Sequence, residues 1–139
     1  MNSFVTHIDH TADLGIDVYG GTQADLFVHA ALALMGFITD LEKVDEQREQ
    51  KVVMEEADPT YLFVNFLREV LYLINGEGFL FRSITIDIAP HGCLQAIMKG
   101  EYIDRRKHEI KTEIKAVTYH QAAVMQTEQG WQGRVIFDV

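Results

Sequence analysis

Near the start of the sequence, His7, Asp9, His10, Thr11 and Asp13 bring two imidazoles, two carboxylates and a hydroxyl close together. Carboxylate oxygens suit a hard divalent cation such as calcium or magnesium, whereas imidazole suits zinc or a proton relay. The same residue types also cap turns through side-chain to backbone bonds, and on spacing alone that outcome is the commoner one. At the other end, Val135-Ile136-Phe137-Asp138-Val139 sets the Asp138 side chain beside the α-carboxylate of the last residue. Both groups are anionic at neutral pH, and a bound cation or a lysine would relieve their repulsion. A solvated strand end is the simpler reading of that pair. A third segment, 113–120, alternates Ile114, Ala116 and Thr118 against Lys115, Val117 and Tyr119. A lysine in a strand-like run commonly snorkels from an edge. It can also neutralise carboxylates or meet a partner.

Other catalytic patterns are missing. Gly20-Gly21-Thr22 precedes a helix without a P-loop lysine, and there is no Gly-x-Ser-x-Gly elbow. Cys93 is the sole cysteine and matches no zinc spacing. It opens the strand-like run CLQAIM, where a buried, inert thiol is expected. With no nucleophile–base pair legible, the residues do not describe an enzyme, and a stand-alone metal-dependent hydrolase is the weakest reading.

The elements that must position these groups follow from periodicity. Thr22-Gln23-Ala24-Asp25 has the form of a capping box, and Leu26, Phe27, Ala30, Ala31, Leu34 and Ile38 recur at helical spacing. They predict a helix over 23–35 or a few residues beyond, with Gly36 as a stop. Asp58 as N-cap and Pro59 at the first helical position open a second helix that closes at Gly76. Its apolar face is broad, so it is expected to be the more buried of the two. Alternation predicts strands over 14–19 and 50–54, then a hairpin of 83–89 with 93–99 turning at Pro90-His91-Gly92. A long, bent strand over 113–127 and a last one over 134–139, after a turn at 129–133, complete the set. The expected fold is α+β: one domain, 1–139, with two helices packed on an antiparallel or mixed β-sheet in a sandwich. Strands at both ends could lie side by side in the sheet, bringing Asp13 towards Asp138.

Composition bounds the partners. The 139 residues are 47% apolar and 24% charged, which is ordinary globular usage. With 21 acidic against 12 basic side chains the formal charge is −9. Such a surface repels nucleic acid, so direct stable RNA or DNA binding is not expected, and a basic protein partner fits better. The one dense basic run, Arg105-Arg106-Lys107-His108, is flanked by Asp104 and Glu109 and reads as a solvated loop. The first residues lack the pattern of a signal peptide, and no run reaches the ~18 apolar residues of a membrane span. A soluble, cytoplasmic protein with no membrane association is the expectation.

Taken in order, several segments resemble the archease family, small proteins that work with RtcB-type RNA ligases. They are His10-Thr11-Ala12-Asp13; Ala33-Leu34-Met35-Gly36-Phe37-Ile38-Thr39-Asp40; Asp58 with the helix through 62–71; Gly100-Glu101; Glu113-Ile114-Lys115-Ala116-Val117-Thr118-Tyr119-His120; and Val135-Ile136-Phe137-Asp138-Val139. The resemblance covers essentially the whole chain. It implies a non-enzymatic activator that promotes guanylylation and multiple turnover of the ligase in tRNA splicing or RNA repair. It also implies a divalent-metal site, calcium first with magnesium or manganese as alternatives, mapping onto Asp13, Asp138 and the carboxylate of Val139. Lys115 matches a functionally important family lysine, and His10 is assigned to orienting the site. A general chaperone or assembly modulator acting without metal is the alternative. The sequence leaves open the oligomeric state, the RNA joined by the ligase, and whether Lys115 serves the metal site or the partner.

Overall fold

A carboxylate-led alternating segment forms one of the two inner strands of the larger sheet in the computed structural model, which describes residues 13–139 and the backbone of 5–9. In chain order the strands are β1 (Val5–Asp9), β2 (Asp13–Gly20), β3 (Arg48–Glu55), β4 (Phe79–Ala89), β5 (Cys93–Tyr102), β6 (Ala116–Thr127) and β7 (Gly130–Asp138). The helices are α1 (Gln23–Ile38) and α2 (Pro59–Glu77). One sheet has the order β1-β2-β7-β6 and the other β3-β5-β4. Every pairing among the described residues is antiparallel. Both helices touch strands of both sheets, so the fold is the expected α+β sandwich with helices packed on sheet. None of its helices, among the described residues, is long and apolar enough to cross a membrane.

Local chemistry explains the helix starts. Thr22 Oγ1 accepts the Asp25 N–H at 3.0 Å. Asp58 Oδ1 accepts from Thr60 N at 2.8 Å and Tyr61 N at 3.2 Å, while Pro59 sits where its missing N–H costs nothing. Helix α1 ends within the few residues expected beyond Met35, but neither glycine expected as a stop ends its helix. Gly36 lies inside α1, which continues to Ile38. Gly76 lies inside α2, which ends at Gly78, held in the left-handed region at φ 72°.

The burial order is also reversed. Apart from Asp25 no residue of α1 is exposed, because α1 meets β2 and β7 on one side and β4 on the other. Helix α2 buries nine apolar residues but leaves Tyr61, Arg68, Tyr72 and Asn75 in solvent.

Three further differences concern strands. Residues 5–9, outside every predicted strand, form β1, antiparallel to β2. The strand expected to start at Glu113 starts at Ala116, and β7 begins at Gly130 rather than Arg134. The expected bend is present: register shifts between Thr118 and Ala123, with Gln121 at φ 56°. That bulge lies on a strand at the edge of its sheet and breaks the ladder another chain could pair with.

The core is aromatic where helices meet sheet. Phe63 of α2 stacks edge-on against Phe27 of α1, centroids 5.1 Å apart. Its ring also covers Gly133 of β7, where an added Cβ would lie 3.2 Å from it. Truncating so central a ring removes its contacts and leaves a cavity. Phe63→Ala is expected to cost about 3–5 kcal/mol of stability, measured as the shift in urea midpoint at constant slope.

Candidate functional site

The pairing of β2 with β7 sets Asp13 directly opposite Asp138. In the adjoining ladder Ala116 faces the same residue, and the Lys115 N–H donates to the Asp138 carbonyl at 2.7 Å. Alternation fixes the faces. Val117 and Phe137 turn into the core, so Asp13, Asp138 and Ala116 lie on the outer face. Four residues along that face, Asp17 stands opposite Arg134 and takes two hydrogen bonds from it, at 2.8 and 3.0 Å. The hydrogen bond and charge of the Asp17 carboxylate in turn raise the pKa of the Arg134 guanidinium.

The contrast between the two pairs is informative. Asp17 meets a cation across the ladder, whereas Asp13 meets another carboxylate. Like charges directly opposite are destabilising. Among the described residues neither the Asp13 nor the Asp138 side chain takes a hydrogen bond or ion pair. Paired oxygen donors without a protein counter-charge suit a hard cation by chemistry. They do not form a full cage: among the described residues no cluster of three or more His, Cys, Asp or Glu side chains could hold a metal. His10 lies outside the described residues, and Val139 follows Asp138 with its side chain exposed.

Lys115 reaches this region by its main chain, and its side chain is exposed. It ends an irregular stretch, 103–115, that long-range bonds pin to the helix ends. Ile103 N donates to Gly78 O at 2.7 Å, and Lys111 N to Ile38 O at 2.8 Å. Thr39 Oγ1 donates to Glu109 O at 2.7 Å, and Asn75 Nδ2 to Ile114 O at 2.8 Å. Ile114 is fully buried, which leaves Lys115 on the surface at the mouth of an open cleft of about 500 Å³ beside α2. Arg68, Tyr72 and Asn75 line that cleft with it. Sequence reasoning missed these three. Their signal was present as polar and aromatic residues repeating at helical spacing on the side of α2 away from its apolar face.

Two expectations need correction. Cys93 is exposed, because β5 begins at Cys93 and turns Leu94, Ala96 and Met98 inward. Its thiol donates to Glu55 Oε2 at 3.1 Å, and that bond, with some burial and the Glu55 charge, raises its pKa and keeps it protonated. The basic run is not simply a solvated loop. Lys107 Nζ donates to Asp45 Oδ2 at 2.6 Å and Glu101 Oε2 at 2.7 Å, and the His108 side chain is fully buried. His108 Nδ1 accepts the Asp104 N–H at 3.0 Å, which leaves Nε2, 3.0 Å from Glu101 Oε2, to carry the proton and donate.

Known proteins place this architecture. The model of the archease protein family (MTH1598/TM1083) matches residues 6–139. "Protein archease" of Pyrococcus abyssi is 36% identical over 137 residues, 96% of this chain and 96% of that protein. Its counterpart in Methanosarcina barkeri is 33% identical over 137 residues, covering 96% and 94%. The solution structure of protein 1598 of Methanobacterium thermoautotrophicum superposes with a TM-score of 0.81 at 30% identity, covering 98% of this chain and 99% of that one. The two-sheet α+β fold is thus shared with that protein. The chain belongs to the archease family.

The Glu101 cluster yields a pH prediction. Burial pushes its carboxyl upward, but hydrogen bonds from Lys107, Asp45 N and His108, with the Lys107 charge, outweigh it and lower the pKa from 4.5 to about 2. A lowered folded-state pKa contributes stability above the unfolded value that is lost as pH falls. Wild type should therefore lose stability between pH 4.5 and about 2, and Glu101→Gln should flatten that limb while lowering stability at neutral pH. Chemical denaturation across the range is the check.

Proposed function

We propose that this protein activates an RtcB-type RNA ligase, without being an enzyme itself, by means of a divalent cation held at Asp13 and Asp138. The observation that carries the reading is the carboxylate pair set face to face on the outer face of the sheet with no counter-charge among the described residues. The α-carboxylate of Val139 is the third proposed oxygen donor, and His10 is proposed to orient the group. Calcium is the favoured ion, with magnesium or manganese as alternatives that the same oxygen donors accept. A cation bound there supplies positive charge of the kind that organises phosphate oxygens during nucleotidyl transfer.

The remaining roles belong to the chain. Asp13 and Asp138 are held on paired strands, so the donors are positioned by the ladder rather than by a mobile loop. The Lys115 N–H, donated to the Asp138 carbonyl, fixes the last residues of β7. The acidic surface, with a net charge of −9, favours approach to a basic, RNA-handling protein over RNA itself. Membership of the archease family and the match over nearly the whole chain support the same assignment.

The experiment is multiple-turnover RNA ligation with limiting ligase. Wild type should raise turnover, and Asp13→Ala or Asp138→Ala should reduce that stimulation by about tenfold or more, as loss of groups that hold a metal does. Stimulation by both variants equal to wild type would refute the role of the pair.

A further inference from the structure

The exposed side of α2 is left unexplained by the carboxylate pair. Tyr61, Asn65, Arg68, Tyr72 and Asn75 follow one another at spacings of three and four residues and so share one face. From Tyr61 to Asn75 this face runs roughly 21 Å at 1.5 Å per residue. Tyr61 and Tyr72 are 51% and 58% exposed, high for tyrosine rings in so well-packed a protein. Tyr119 of β6 joins them: its ring lies edge-on to Tyr61, centroids 5.7 Å apart, and its hydroxyl donates to Asn65 Oδ1.

The charge on this strip is opposite to that of the whole chain. The Arg68 guanidinium sits 4.2 Å from the Tyr119 ring centroid, and its Nε donates to Val117 O at 2.9 Å. Lys115 stands across the cleft. Neither cation has an ion pair among the described residues, and no carboxylate lines the cleft they share. The guanidinium is thus held in place by ring and carbonyl while keeping donors for another molecule. Tyrosine and arginine are the residues that most often carry binding energy at protein interfaces. The length and openness of the strip suit a macromolecular surface rather than a small ligand.

We propose that the α2 strip is the docking surface for the partner protein, and that it receives an acidic side chain of that partner between Arg68 and Lys115. The tyrosines supply apolar contact on either side. On a chain of net charge −9, a cationic cleft constrains the orientation in which a partner can bind. Lys115 links the two regions, because its main chain bonds Asp138 and it also lines the cleft. This inference rests on the ligase being the partner.

The test is binding of the purified ligase to the immobilised full chain, comparing wild type with Arg68→Gln, Tyr72→Ala and, as a control on the other sheet, Arg82→Gln. Thermal melting checks that each variant is folded. Arg68→Gln and Tyr72→Ala should each weaken binding by about tenfold or more, Arg82→Gln should not, and wild-type binding should weaken as salt rises. Folded Arg68→Gln and Tyr72→Ala chains that bind like wild type would overturn the docking surface and leave the activator reading standing. No binding by wild type would overturn the activator reading and this proposal with it. Displacement of the ligase by pyrophosphate at constant ionic strength would put a phosphate in the cleft, and would overturn the acidic side chain as its occupant.

Discussion

The register between β2 and β7 is the constraint on which the site depends. A slip of one residue in β2 would turn Asp13 into the core and Leu14 out to solvent, and the same slip in β7 would do so for Asp138 and Phe137. Three features oppose that slip. Ile16, Val18, Val135 and Phe137 are buried together, Phe63 covers Gly133, and Asp17 is clasped by Arg134. The same ladder therefore stabilises the core and holds two like charges face to face. In a sheet free to optimise stability, the second cation would stand opposite Asp13 as Arg134 stands opposite Asp17.

Lys115 shows how an irregular segment can be placed as firmly as a strand. The stretch 103–115 has no ladder of its own, yet it is tied to the C-terminal ends of α1 and α2, to Asn75 and to β7. Several of its backbone polar groups bond distant partners, as an ordered loop packed on a core requires. The result brings a carboxylate pair beside a cationic cleft, linked by the bond from Lys115 N to Asp138 O and the pairing of Ala116 with Asp138.

Much of this was legible in the sequence, for identifiable reasons. Capping at Thr22 and Asp58 marks the helix starts because the cap is a local hydrogen bond. Alternation marks β2, β4, β5 and β7 because one face of each is buried. The proximity of Asp13 and Asp138 followed from placing strands at both ends. What was missed lacks a local cause. The pins of 103–115 join residues far apart in sequence, so no window of residues announces them. The solvent side of α2 was overlooked because apolar periodicity reports only the buried face. Cys93 was misplaced by treating CLQAIM as uniformly apolar, although the parity of Leu94, Ala96 and Met98 already points the thiol outward. The helix stop at Gly36 failed because α1 is packed on both sides and tolerates a glycine within it. Helix α2 instead runs past the exposed Gly76 to the left-handed cap that Gly78 supplies.

The central claim is that the facing carboxylates bind a divalent cation, and calorimetric titration of calcium into the metal-free protein tests it most directly. Wild type should bind saturably at one site, and Asp138→Asn, equally folded without metal, should lose that binding by about tenfold or more. No heat of binding with wild type, or equal affinity in the two proteins, would contradict the account.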